Sequence, residues 1–221
     1  MNKVQPDGKL VSNFIKFNRV IENEKLNPLT SGNSSIRVNN NLIAIKPTGM
    51  RFSKIREKDI SIIDMDGKLI KGKLSSSDSP LHLMLYKSIS DINCVVHTHS
   101  HYASVFSILG KDISPLSTLH ADFFGGKVPC LCFANHKTKE VINTIQNNID
   151  KIKKANAFLI GNHGAFIIGK DTEKTFKMAI ALEESARLNY HALLISRHIK
   201  KIPKTDIEIM HKYYLTRYGQ Q

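Results

Sequence analysis

Residues 93–109, NCVVHTHSHYASVFSIL, decide how this chain is read. Cys94, Val95 and Val96 form an apolar run that predicts a buried strand. From His101 onward the spacing turns helical, so the strand feeds a helix. His97 and His99 stand at the junction. In an extended chain, residues i and i+2 face the same side, which brings two imidazoles together. Ending a buried strand in two imidazoles is costly unless something binds them. Working outward, AFLIGNHGAFIIGK (residues 157–170) reads as two apolar strands around a Gly-Asn-His-Gly turn, with His163 at the tip. In a chain with 10 histidines, either feature alone is commonplace. Together they predict a metal centre. Three histidines are a common zinc set, and a carboxylate could complete the shell. His120 stays open, and the other histidines read as surface or packing.

The flanking sequence supplies the rest of the layout. Residues 9–24 place Leu10, Phe14, Phe17 and Ile21 on one helical face. Residues 26–49 read as loop, strand, turn, strand and turn, with Leu42 to Ile45 ended by Pro47. A hairpin is expected about Asp66-Gly67. Ser77 or Asp78 opens a helix with Pro80 in its first turn. Residues 113–133 read as irregular, with a strand near Val128 to Phe133. Helices follow over KTKEVINTIQNNI, from Asp171 or Thr172 to about Ser196, and over roughly 204–215. Strands and helices mix without a regular βαβ alternation, so the expectation is one α/β domain over 1–221, with a tail from about 204.

Composition narrows the function classes. The chain has 221 residues, a net charge of +13, 41% hydrophobic residues and 3 cysteines. Its lysines are dispersed and no nucleic-acid motif appears, so nucleic acid is not the expected partner. A positive field does attract phosphorylated metabolites. Few, odd-numbered cysteines suit a reducing cytoplasm. No apolar run approaches the ~18 residues of a membrane span, and the N-terminus has no apolar leader segment. Three hydroxyl-rich segments, Thr30 to Ser35, Lys46 to Gly49 and Ser75 to Ser77, fit either plain turn and cap chemistry or phosphate holding. Spacing alone leaves both open.

GNSSIRV, IKPTGM, KLSSSDSPLHLMLY, VVHTHSHYASVFSIL, LHADFFGGKVPC and GNHGAFIIGK occur in this order. Together they resemble the class II aldolase/adducin superfamily from about residue 10 to 195. Ser76-Ser77-Asp78 is similar to the SSD of its L-ribulose-5-phosphate 4-epimerases, where fuculose-phosphate aldolase carries SSE. His120-Ala121-Asp122 is similar to the epimerases' HAD, whose Asp is catalytic. The resemblance implies a three-layer α/β/α sandwich around a mixed, mainly antiparallel sheet. It also implies a homotetramer with sites between subunits. It assigns a divalent ion, zinc or manganese, to Asp78, His97, His99 and His163. It assigns a sugar phosphate to Gly32, Asn33, Thr48, Gly49, Ser76 and Ser77, and acid/base chemistry to Asp122. The tail HKYYLTRYGQQ matches in two ways, anchored on Tyr214-Leu215 or on Tyr218-Gly219-Gln220. The second makes Tyr218, lent by a neighbouring subunit, the other acid/base group. The expected reaction is inversion at C4 of a pentulose 5-phosphate. The short segment between Cys132 and Ala155 is closer to the aldolases, which cleave a ketose 1-phosphate. A non-catalytic, adducin-type module is the third reading.

Overall fold

A computed structural model describes residues 8–135, 138–196 and 198–218. Gly219 and Gln220, on which one anchoring of the tail relies, lie outside the described residues. The chain divides into two compact units, 1–98 with 168–176, and 99–167 with 177–221.

The first unit opens with α1 (Gly8–Asn23), which buries Phe14 and Ile21 as its apolar stripe predicts. Phe17 is only half-buried and meets the Phe176 ring at 5.5 Å. The strands β1 (Asn33–Asn39), β2 (Leu42–Ile45), β3 (Ser61–Asp64), β4 (Leu69–Lys71) and β5 (Cys94–Thr98) are ordered β4-β3-β2-β1-β5, every pairing antiparallel. Ile36, Ile43, Ile45, Ile63, Val95 and Val96 are almost wholly buried. Each such side chain contributes roughly 1.5–3 kcal/mol of transfer free energy. The helix α2 (Ser79–Ser88) lies between β4 and β5 in the chain. It is buried nearly all round, from Leu81 to Tyr86.

The second unit holds α3 (His101–Ile108), α4 (Thr118–Phe124), β6 (Cys130–Leu131), α5 (Lys139–Gln146), α6 (Ile149–Ala155), β7 (Ala157–Ile160) and α8 (Lys204–Thr216). β8 (Gly164–Gly169) and α7 (Thr172–Ile195) contribute residues to each unit. β6 runs parallel to β7, and β7 antiparallel to β8, where Phe158 faces Phe166 with stacked rings 5.2 Å apart. The strand pairing is therefore mixed and mainly antiparallel, and the fold class is α/β.

Three stretches differ from the sequence expectation. The segment read as irregular contains α4. Ser117 caps its start by accepting from the His120 N–H, and Gly125, at φ +60°, closes its end. Seven residues are under two turns, too short for a periodicity to show, although the Ser and Gly at its ends are cap signals. The expected strand from Val128 to Phe133 shrinks to β6, with one isolated bridge between Ile113 and Val128. A further helix, α6, follows α5 across Asn147-Asn148, and Asn156 in the left-handed region ends it.

Candidate active site

In the first unit, three loops that are distant in sequence come together. Lys46 Nζ donates to the Thr30 carbonyl at 3.1 Å, tying the segment after β2 to the one before β1. Pro47 forms a bridge with Ser75, and the Thr48 N–H donates to the Leu74 carbonyl at 3.0 Å. Gly32, Asn33, Thr48, Gly49, Ser76 and Ser77 thus belong to one neighbourhood. Gly32 (φ +66°) is tightly enclosed, because a Cβ there would collide with the Asn27 side chain. Gly49 has the same φ but faces open space, and Thr48 and Ser77 are exposed. Small, hydroxyl-bearing residues beside open space leave room for an anion to approach the main chain.

Asp78 occupies the N-cap position of α2 and makes no side-chain cap hydrogen bond. Its carboxylate is engaged elsewhere. Asn33 Nδ2 donates to Asp78 Oδ2 at 2.7 Å, and His97 Nε2 stands 3.9 Å from the same oxygen. The β1–β5 register explains the meeting, since Asn33 pairs directly with His97. Asn33 was expected to hold substrate. Its amide nitrogen donates to Asp78, while its Oδ1 is buried with no hydrogen-bond partner among the described residues.

His97, His99 and His163 each offer one ring nitrogen, and these atoms all lie within 4.8 Å of one another. The His99 and His163 rings meet edge to face at 5.0 Å. His163 sits at the β7–β8 turn as the sequence predicts, but it is Asn162 (φ +56°) that takes the left-handed conformation. Gly161 serves a close approach there, because a Cβ would stand 2.9 Å from the Phe133 nitrogen. After His99, the start of α3 is held by Glu183 of α7, which accepts from the Tyr102 and Ala103 N–H groups at 2.8 and 3.0 Å. Three imidazoles and a carboxylate beside one of them form a donor set that fits a divalent ion such as zinc. Asn33 supplies the outer hydrogen bond that orients the acid.

Asp122 lies half-buried on α4, and burial raises its carboxyl above the ordinary carboxylate range, opposed by nearby His211. Helix α8 packs against α4, with the Phe123 and Tyr214 rings 4.6 Å apart. Tyr218, 68% exposed, stacks on Tyr214 at 5.2 Å. The two expected acid/base residues therefore flank one aromatic ladder of a single chain. His120, open in the sequence, is buried, and its Nε2 donates to the Gly126 carbonyl at 2.7 Å. Burial lowers its pKa to about 4, which keeps the ring neutral at ordinary pH.

Glu183 and His211 escaped the sequence reading of the site, and Lys46 entered it only as the first residue of a hydroxyl-rich turn. Lys46 is 2% exposed, lies 4.9 Å from the Phe52 ring centroid, and burial lowers its pKa to about 8. A lysine ending the apolar run Leu42 to Ile45, directly before a Pro-Thr-Gly turn, was the signal available for it. Nothing local to Glu183 or His211 announces their partners, which are about 80 to 90 residues away.

The sequence profile described as Class II Aldolase and Adducin N-terminal domain matches residues 12–190. The chain is 31% identical over 201 residues to L-ribulose-5-phosphate 4-epimerase UlaF of Salmonella paratyphi B, covering 86% of each. It is 30% identical over 205 residues to a Mycoplasma pneumoniae protein named "Probable L-ribulose-5-phosphate 4-epimerase UlaF", covering 86% of this chain and 84% of that one. A solved L-fuculose 1-phosphate aldolase superposes with a TM-score of 0.85 at 26% identity, covering 95% of this chain and 97% of that one.

Proposed function

Because the chain belongs to the class II aldolase and adducin family, we propose that it inverts C4 of a pentulose 5-phosphate, converting L-ribulose 5-phosphate to D-xylulose 5-phosphate. The observation that carries this reading is Asp122. It is a carboxyl raised by partial burial, on a helix flanked by the tail's tyrosines, where the resemblance puts a catalytic acid that the aldolases lack. Similarity to the UlaF epimerases supports it.

In this reading Asp78, His97, His99 and His163 hold a divalent ion, zinc or manganese. When bound, it supplies a Lewis acid that polarises the substrate carbonyl. Gly32, Asn33, Thr48, Gly49, Ser76 and Ser77, with Lys46, hold the substrate, mostly through its phosphate, and keep the cleaved fragment from escaping. Asn33 orients Asp78. Epimerisation breaks the C3–C4 bond, turns the aldehyde and rejoins it on the opposite face. One group takes the proton of the C4 hydroxyl as the bond breaks, and another returns a proton to the new C4 oxygen. Asp122 takes one of these roles and Tyr218, lent by a neighbouring subunit, the other. We extend the proposal to a homotetramer in the cytoplasm. Exposed Leu194 and Ile195 on α7, and Ile209, Tyr213 and Leu215 on α8, support assembly by offering apolar faces. The three cysteines are free, in keeping with a reducing compartment. No helix among the described residues is long and apolar enough to cross a membrane.

The alternative is aldol cleavage of a ketose 1-phosphate such as L-fuculose 1-phosphate, favoured by the likeness to the solved aldolase. NMR of L-ribulose 5-phosphate incubated with metal-loaded protein separates the two. D-xylulose 5-phosphate without free glycolaldehyde phosphate is the expected result. No conversion, with cleavage of L-fuculose 1-phosphate, promotes the aldolase.

A further inference from the structure

Helix α4 ends in a tight structural knot. Its last carbonyls lack intrahelical donors, as at any helix end. One of them, the Asp122 main-chain oxygen, is 2.7 Å from His211 Nδ1 on α8. A carbonyl only accepts, so Nδ1 carries the proton. The same imidazole lies flush against Gly125, where any Cβ would collide with its ring. Gly125 at φ +60° is thus required twice, by its conformation and by the ring above it. On the other side of the turn, His120 Nε2 donates to the Gly126 carbonyl. Two imidazoles, one from each helix, clamp the turn that follows Asp122.

We propose that His211 is a positioning residue for Asp122, aiming its carboxyl from α8 through the main-chain hydrogen bond and the ring contact at Gly125. The inference rests on the acid/base reading of Asp122 and names a residue through which that site is held. It explains why a catalytic acid can sit on a helix under two turns long, where fraying would otherwise blur its position. It also gives α8 a task beyond carrying Tyr218. Several groups of the described residues face Asp122. From α8 come His211 and Tyr214, and beyond Tyr214 lie Tyr218 and Lys177 of α7. On α4 itself His120 is neutral and turned toward Gly126. His211 is the group that opposes the burial-driven rise of the Asp122 carboxyl.

The test uses the metal-loaded full chain with His211→Leu, His211→Asn and Asp122→Asn. Asparagine keeps an N–H near the Nδ1 position but cannot take up a proton. His211→Leu is expected to lower kcat on L-ribulose 5-phosphate at least tenfold, with KM and metal content within about twofold of the parent. His211→Asn is expected to restore most of kcat while moving the Asp122 titration upward, read by 13C NMR of aspartate-labelled protein. The NMR reading needs no turnover, and His211→Asn still decides the matter if the leucine variant does not fold. Parental kcat in His211→Leu, or an unmoved Asp122 titration in His211→Asn, overturns the proposal. If Asp122→Asn is inactive in that case, the acid/base reading survives and only the His211 role falls. Parental turnover in Asp122→Asn removes the acid/base reading itself, and the positioning role with it.

Discussion

Asp78 shows how one side chain is diverted from a local task to a distant one. The sequence Ser-Asp-Ser-Pro predicts an N-cap, and the residue does occupy that position. Its carboxylate nevertheless bonds to Asn33, 45 residues earlier, and faces His97. The first-turn N–H groups of α2 give up a cap worth about 1 kcal/mol for that arrangement. At this scale the roles separate cleanly. His97→Ala is expected to lose the bound metal by elemental analysis and nearly all turnover. Asp122→Asn is expected to keep full metal content while kcat drops at least about a hundredfold. Unchanged metal content in His97→Ala would remove that residue from the ligand set. The histidine trio was legible in the sequence because its signals are local: a strand end for His97 and His99, a tight turn for His163. Lys46 was harder to read, since a lysine after a strand is ordinarily a solvated side chain.

At the scale of elements, short helices and turns decide how the site is presented. Gly72 (φ +90°) lies between β4 and the Ser75 to Ser77 loop, and a Cβ there would collide with the Ile60 carbonyl. That obstacle is backbone and cannot swing away. Next to it, Ser61 Oγ donates to the Lys73 carbonyl at 2.6 Å, and Lys73 pairs with buried Asp59. Gly72→Ala is therefore expected to cost more than about 2 kcal/mol, seen as a lower urea midpoint. It should also raise KM for the phosphorylated substrate, because the serine loop shifts with it. A variant with parental stability and KM would show that the turn can relax. The long elements α1, α7 and the β7–β8 pair were legible from periodicity and apolar runs. α4 and α6 were not, because each is shorter than the window in which a period declares itself, and β6 was expected as a longer strand than the two residues that pair.

For the molecule as a whole, the +13 charge and the buried histidines govern the response to pH. Burial depresses both His82 and His120 to about 4, from an ordinary value of 6.5. Between these values the unfolded chain binds more protons than the folded one, so stability falls as pH drops from 6.5 to 4 and levels off below. For His120 the full loss is on the order of 3 kcal/mol. Urea unfolding at pH 7 and pH 5 is expected to show the lower stability at pH 5. His120→Asn should flatten that dependence. Equal stability at the two pH values would mean that these imidazoles find water or a counter-charge in the folded state.

The sequence by itself determined the family, the α/β class with its mainly antiparallel strands, and the three histidines. The histidines and the α/β class follow from side-chain types at short spacing, which a linear chain displays directly; the family and its mainly antiparallel sheet follow from the resemblance of six ordered motifs. Only the tertiary structure decided that Asn33 orients Asp78, that Lys46 joins the hydroxyl loops, that Glu183 anchors the helix after His99, and that His211 grips the end of α4. Each of those is a hydrogen bond between groups roughly 16 to 90 residues apart. Such a bond exists only once strand register and helix packing have brought its two ends within about 3 Å.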